Sequence, residues 1–330
     1  MQGWAREESQ STTIAVGIDV AKAELVVALT GLAAVKRYDN DFAGRGRLVG
    51  ELTELKKDWM LAALKVGLEA SGGYERKTAA ALRKAGFEVI VFQPARIKAF
   101  ARYLGQQAKT DPLDARVIAC AAAAYDGEIR QSDDRLAPMA EHLTFIEQIE
   151  DDIVRLKTRR DGFSVKRLQD KLEGEIEALK ERRSAELKAL CREVQAHADL
   201  AKRLNLVTSI QGIGERTGLM LVIRMPELGA MSREEAASLA GLAPFDQQSG
   251  NRDAIRHIQG GRARVRRSLY AAALPAAFRW NPALVDLYQR LIAKGRNHKQ
   301  ALVACARKLV IFANTVLARG TPWLAQSPGS

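Results

Sequence analysis

"TTIAVGIDVAKAELVVALT", residues 12 to 30, decides the fold. Two apolar runs, Ile14 to Ile18 and Leu25 to Leu29, are separated by a short polar turn, which predicts two strands of a hairpin. "AAVKRYDN" (33–40) extends the pattern to a third strand. Residues 42 to 58 then read as a helix, and "ALKVGLEA" (63–70) as a short buried strand that ends in Glu69. "GGYERKTAAALRKAG" is a helix closed by Gly86, "FEVIVFQ" a further strand, and "PARIKAFARYLG" a helix opened by Pro94. Another helix starts near Asp111. The order β-β-β-α-β-α-β-α-α describes a mixed sheet flanked by helices.

The whole chain of 330 residues has room for two or three domains. It is 47% hydrophobic and 27% charged, a composition that can bury real cores. Its formal charge of +12 points to a polyanionic partner, most often nucleic acid, although a basic enzyme of another kind has the same balance. The three cysteines, Cys120, Cys191 and Cys305, form no C-x-x-C pair, so neither a disulfide framework nor a zinc site is indicated. A reducing cytosol is the simple reading. The N-terminus carries no apolar signal core, and no apolar run is expected to span a bilayer.

From about residue 139 to 205 Glu, Lys, Arg and Leu dominate. Apolar residues recur at three- and four-residue steps: Leu143, Ile146, Ile149, Ile153 and Leu156, then Leu168, Leu172, Ile176 and Leu179. That spacing predicts a coiled coil or helical hairpin, interrupted near "RDGFS" (160–164), and a plain amphipathic helix packed on its neighbour has the same pattern. Residues 206 to 320 form a third, mostly helical region. The expected division is 1–135, 136–205 and 206–330.

"KTDPLDARVIA" (109–119) carries two acids three apart. As a helix start it needs no further explanation: Asp111 would be the N-cap, Pro112 the first helical residue, and Asp114 would face the positive end of the helix dipole. Asp19, however, ends the first strand and Glu69 the fourth, and those strands are expected to be neighbours in a β-β-β-α-β sheet. The i, i+3 spacing puts Asp111 and Asp114 on one helix face. Four carboxylates converging there repel one another without cations. Mg²⁺ resolves the conflict with oxygen ligands, and two such ions suit phosphodiester chemistry.

This order of acids resembles the RuvC-like branch of the ribonuclease-H fold. "GIDVAK", "EASGGYER" and "GQQAKTDPLDARVIA" resemble the insertion-sequence-110 family of DEDD transposases, relatives of the Piv-type DNA invertases. "QGIGERTG", "GLAPFDQQSG", "GGRARVRRSLYAAAL" and "ALVACARKL" resemble that family's C-terminal transposase domain, with "GGRARVR" leaning towards its insertion-sequence-1111 branch. The resemblance runs in order over about residues 12 to 320.

It implies that Ser249, in "QQSGNR", is the catalytic serine, although a Ser-Gly pair is otherwise a turn. A serine that attacks a phosphodiester conserves the energy of the broken linkage in a phosphoserine bond, and Gly250 would let a backbone approach. The resemblance also implies a composite site in which serine and metal-bound carboxylates meet across domains. Arg252, Arg256, Arg262, Arg264, Arg266 and Arg267 follow, with Asp253 the one acid among them, and suit phosphate contact or a solvated basic face. Asn251 and Ala254 stand where the family has a basic residue and a glycine, and Gln211 where it has Pro. "QGIGERTG" resembles a helix-hairpin-helix turn whose Gly212 and Gly214 would offer backbone N–H groups to phosphate, and Lys109 would be a further phosphate contact.

The expected function is therefore a DNA transposase with a two-Mg²⁺ DEDD site (Asp19, Glu69, Asp111, Asp114) and a covalent Ser249–DNA intermediate. The resemblance implies donor and target DNA, a structured non-coding guide RNA from the element's flank, a homodimer that assembles into a tetramer, and a cytoplasmic, nucleoid-associated protein with no membrane partner. A metal-only RuvC-like nuclease such as a junction resolvase, needing the acids but not Ser249, and a non-enzymatic DNA-organising protein are the alternatives.

Overall fold

The computed structural model describes residues 14–106, 111–127, 133–245, 257–258 and 260–324. The chain forms two compact units that divide between Asp134 and Arg135.

The first unit is built on a five-stranded sheet of β1 (Ala15–Val20), β2 (Glu24–Leu29), β3 (Val35–Asp39), β4 (Lys65–Glu69) and β5 (Glu88–Phe92). The spatial order is β3-β2-β1-β4-β5. β1, β2 and β3 pair antiparallel, while β4 runs parallel to β1 and β5 parallel to β4. This is the mixed α/β sheet of a ribonuclease-H or RuvC-like domain, as the sequence leads one to expect. The helices are α1 (Phe42–Asp58), α2 (Glu75–Lys84), α3 (Pro94–Tyr103) and α4 (Asp111–Ala123).

Strand alternation sorts the helices onto two faces. Val16, Ile18 and Val20 join Leu48, Leu52 and Leu55 of α1 and Leu82 of α2 in one core. Ala15 turns the other way, into a core with Ile97 of α3 and Val117, Ile118 and Ala121 of α4. Local chemistry sets the helix ends. The Asp41 carboxylate caps α1 by accepting from the Gly44 amide at 2.7 Å, and Lys56 and Lys57 meet the negative end of its dipole. Pro94 occupies the first turn of α3, where its missing N–H costs nothing.

The second unit is mostly helical. α5 (Leu136–Asp161) and α6 (Lys166–Gln195) form an antiparallel hairpin whose turn falls at Gly162, inside the expected interruption. Ile149, Ile153 and Ile176 pack with Leu156 and Leu179 along the outer part of the hairpin. Its base shares a core with α7 (Ala198–Thr208), α8 (Glu215–Arg224), α9 (Arg233–Leu239), α10 (Ala263–Pro275), α11 (Pro282–Ala293) and α12 (His298–Arg319). A two-stranded ribbon, β6 (Pro244–Phe245) with β7 (His257–Ile258), interrupts the helices. Two-residue strands carry no period, so the sequence reading has no counterpart to it.

α12 corrects one expectation. By length and composition it is a helix that can cross a membrane. Its apolar side is nevertheless occupied: Leu302, Cys305, Ala306, Leu309, Val310 and Ala313 are fully buried in the core of this unit.

Candidate active site

Asp19 and Glu69 are brought together by strand register. β1 and β4 run parallel with Gly17 opposite Gly67 and Ile18 opposite Leu68, and one step further come Asp19 and Glu69. Side chains two apart on a strand share a face, so both acids lie on the face that carries α4. Both are half-buried.

α4 crosses this face antiparallel to the two strands, and three contacts fix its direction. Lys65, at the start of β4, donates to the Tyr125 carbonyl just past the end of α4, at 2.6 Å. Gly67 lies under Ile118 and Ala122, to which an added Cβ would stand at 3.0 Å. Gly17 lies under Ala115 and Ala119, where a Cβ would collide with helix backbone. Continued by one step, the same alignment carries the first turn of α4, with Asp111 and Asp114, towards the strand ends that hold Asp19 and Glu69. The two glycines are thus what lets the helix lie flat enough for its acids to share an edge with the strand acids.

The helix is described from Asp111 onward, with Asp111 and Asp114 both in its first turn, where a carboxylate meets the positive end of the dipole; the expected N-cap role of Asp111 turns on residues 107–110, which lie outside the described ones. Asp111 is exposed and Asp114 half-buried. Among the described residues, no three acidic, histidine or cysteine side chains stand close enough together to hold a metal ion. The backbone therefore gathers the acids at one edge, and their side chains are not drawn into a cage.

A fifth acid, which the sequence reading passes over, orders the loop beyond Glu69. Glu75 is buried, and its Oε2 accepts from the Ser71 amide at 3.0 Å, the Gly73 amide at 2.9 Å and the Ser71 hydroxyl at 3.3 Å. A carboxylate that satisfies amides of its own loop is a positioning group. Asn40 is similar: its side chain donates to the Ala21 carbonyl at 2.8 Å, tying the β1–β2 turn to the start of α1. The signal for Glu75 was the "SGGYE" spacing, which places two small flexible residues before an acid at a helix start.

In the second unit the expected nucleic-acid residues divide. Ser249, Lys109, Arg252 and Arg256 lie outside the described residues. The ribbon β6–β7 brackets the segment that contains Ser249, Arg252 and Arg256. Arg262 grips Glu227 with both nitrogens, at 2.8 and 2.6 Å, and also donates to the Arg224 carbonyl at 2.7 Å. Arg264 is bonded to Glu147. Arg266 donates to the Gly260 carbonyl at 2.7 Å. Arg267 is 78% exposed and stands 3.7 Å from Asp151, itself exposed. The acids opposing this arginine run are therefore Glu227, Glu147 and Asp151, which sequence distance hides. Glu147 is the hub: its side chain is 11% exposed and also meets Arg224 at 3.1 Å and Arg216 at 3.8 Å, while Arg216 pairs with Glu150 at 2.6 Å.

The turn "QGIGERTG" joins α7 to α8, as a helix-hairpin-helix turn should. Gly212 has φ +102°, and a Cβ there would collide with Ala276, so this glycine serves packing. Gly214 is exposed and precedes the first residue of α8, with open space where a Cβ would stand.

Two family models match the chain. A DEDD transposase model of the IS110 group matches residues 16–174, and "Transposase IS116/IS110/IS902 family" matches residues 204–289. The chain belongs to the IS110 family of transposases. Such an enzyme recombines DNA. The chain is 26% identical to the pilin gene-inverting protein of Moraxella lacunata over 260 residues, which is 78% of this chain and 80% of that protein. It is 30% identical over 125 residues to the insertion element IS110 uncharacterized 43.6 kDa protein of Streptomyces coelicolor, 37% of this chain and 31% of that one.

For an IS110-family transposase the acid edge acquires a natural use. The first model covers the whole first unit from β1 onward, including Asp19, Glu69, Asp111 and Asp114, and its DEDD character suggests dependence on a divalent metal. Carboxylates are hard oxygen donors, the ligand type that hard divalent cations take.

Proposed function

We propose that this transposase cuts DNA at element ends and at a target, and exchanges the strands through a covalent link to Ser249. The observation that supports the reading is the common edge of Asp19 and Glu69, one register step beyond Ile18 and Leu68, facing the first turn of α4. Asp19, Glu69, Asp111 and Asp114 would hold Mg²⁺, two ions to a complete site. Bound there, Mg²⁺ supplies Lewis-acid stabilisation of charge on a phosphodiester. The chain's own groups do the rest. The Ser249 oxygen forms a bond to phosphorus, loses its proton, and displaces a sugar oxygen that leaves as a hydroxyl. Attack by a second strand's hydroxyl on the phosphoserine reverses the step, and no external energy source is needed. Glu75 and Asn40 position the backbone around the acid edge.

The α8 start at Gly214 and the exposed Arg267 are the proposed phosphate contacts of the described region, with Lys109, Arg252 and Arg256 beside the catalytic segments in sequence. The α5–α6 hairpin is proposed as the dimerisation arm of a homodimer that pairs into a tetramer. A structured non-coding RNA from the element's flank is proposed to supply sequence choice by base pairing, with the protein reading its shape and backbone. The enzyme would then work in the cytoplasm at the nucleoid.

The test is adduct trapping with the flanking DNA and Mg²⁺, followed by denaturation. Wild type should carry covalently bound DNA, and Ser249→Ala and Asp114→Ala should each lower the adduct by about a thousandfold, the loss of several kcal/mol of transition-state stabilisation. Cleavage that persists in Ser249→Ala without any adduct would replace this reading with a metal-only nuclease. RNA captured with the same preparation should be one structured species from the flank, and bulk cellular RNA alone would remove the guide from the proposal.

A further inference from the structure

The end of α10 carries an aromatic surface that the catalytic reading leaves unused. Pro275 closes α10, and the next five residues, Ala276–Trp280, wind as a wide π turn. Such turns are rare and cluster at functional sites. This one puts Phe278 and Trp280 in solvent, each 54% exposed. An isolated exposed ring is ordinary, but these are not isolated. Phe278 lies 4.9 Å from the Tyr288 ring and stacks at 29° on His298, with 6.1 Å between centroids. Tyr288 and His298 are in turn joined by a hydrogen bond of 2.7 Å. The Phe278 ring is held in one orientation before any ligand arrives, which lowers the entropy cost of stacking upon it.

The backbone beneath is equally fixed. Asn281 is buried. Its amide donates to the Gln211 carbonyl at 2.9 Å, and its side-chain oxygen accepts from the Leu284 amide at 3.3 Å. Ala276 fills the space above Gly212. The aromatic turn is therefore bolted to the α7–α8 turn, whose Gly214 opens α8.

Charge selects the occupant. The stretch from Leu274 to Gln300 holds five cations, Arg279, Arg290, Lys294, Arg296 and Lys299, and one acid, Asp286. All five cations are exposed. A second copy of this surface in a two-fold contact would set like charge against like charge. Half-exposed rings in a cation-rich stretch match a strand with unpaired bases, whose phosphates take the cations and whose bases stack. Duplex DNA hides its base faces and could use only the charges.

We propose that Phe278, braced by Tyr288 and His298, and the exposed Trp280 two residues on are a stacking platform for unpaired bases of single-stranded DNA, the form that strand exchange must expose. The proposal rests on the DNA-recombining activity of the chain and on neither Ser249 nor the metal site.

Binding measured without divalent metal keeps chemistry out of the test. The full chain is titrated into a labelled oligothymidylate, a labelled oligouridylate and a labelled duplex of equal length. Trp280→Ala should weaken oligothymidylate binding by about tenfold, and the double substitution Phe278→Ala, Trp280→Ala by about a hundredfold, with duplex binding held within about twofold. Trp280→Tyr, which keeps a ring, should restore most of the affinity and guards against loss through misfolding. Equal losses on single strand and duplex, or no loss, would overturn the platform. A loss confined to oligouridylate would assign the surface to RNA and overturn it as stated. A change of molar mass in light scattering on the double variant would make it a protein interface. Because adduct formation is assayed separately with Mg²⁺, failure here leaves the catalytic reading standing, and failure there leaves this one.

Discussion

Two charged regions of this molecule look alike as sequence and differ as structure. The acids Asp19, Glu69, Asp111 and Asp114 are scattered over the first unit's chain, and strand register and helix packing carry them towards one edge. The arginines from Arg262 to Arg267 are contiguous, yet the fold disperses most of them: Arg262 to Glu227, Arg264 to Glu147, Arg266 to a backbone carbonyl. Density along the chain is thus a poor guide to density in space. A concentrated run of one sign invites internal counter-charges, while functional charges that repel one another must be held together by something uncharged. In the first unit that something is a pair of glycines.

Glu147 holds the greatest share of these internal counter-charges. This nearly buried carboxylate meets Arg224, Arg216 and Arg264; without it Arg216 keeps Glu150 and the half-exposed Arg264 turns to water, while Arg224, 18% exposed, loses this carboxylate. Glu147→Ala should cost the second unit about 3 kcal/mol, the upper end of the range for removing one partner from part-buried hydrogen bonds. Thermal or denaturant unfolding measures it. A change below 1 kcal/mol would mean that the arginines find other partners and that the hub is surface chemistry. Glu227→Ala, removing the partner of a more exposed arginine, should cost less.

A smaller effect is expected on the acid edge. Gly17→Ala places a methyl group against the α4 backbone, which must lift. Overpacking of this kind costs about 1–3 kcal/mol. The sharper consequence is chemical: with α4 raised, Asp111 and Asp114 leave the edge of Asp19 and Glu69, and adduct formation should fall far more than stability does. Gly67→Ala, where the nearest atoms are side chains at 3.0 Å, should be milder in both respects. Equal activity in the two variants would show that the helix position does not set the site.

These contrasts also say what was legible beforehand. The first three strands, and the placing of Asp19 and Glu69 at strand ends, follow from apolar runs and turn residues, which are local. The sheet order follows from β-β-β-α-β connectivity, since β1 and β4 have few other ways to bury both faces. The role of Gly17 and Gly67 was not legible, because a glycine in a strand reads only as a weakness until the helix above it is known. The Glu147 hub was invisible for the same reason: its partners are tens of residues away. Phe278 and Trp280 were hidden in the other direction, since "LPAAFRW" reads as a continuing core helix and only the π turn after Pro275 turns its rings outward. Family resemblance carried Ser249, and nothing in the described residues bears on it.

Arg262 and Arg267 separate structural arginines from contacting ones within a single run. Arg267 is 78% exposed, and its pair with Asp151, 58% exposed and 3.7 Å away, is the kind of surface pair that contributes little to stability. Arg262 is 31% exposed and gripped on two sides. Arg267→Ala should therefore leave the unfolding midpoint unchanged, weaken binding to duplex DNA uniformly across sequences, and lower the slope of log K against log salt by about 1, the loss of one released counterion. Arg262→Ala should do the reverse, lowering stability while the salt slope per folded molecule stays put. Salt titrations of the two variants beside wild type decide it. If both lower the slope, Arg262 exchanges Glu227 for phosphate when DNA arrives, and the ion pairs of this run are a resting arrangement that the substrate dismantles.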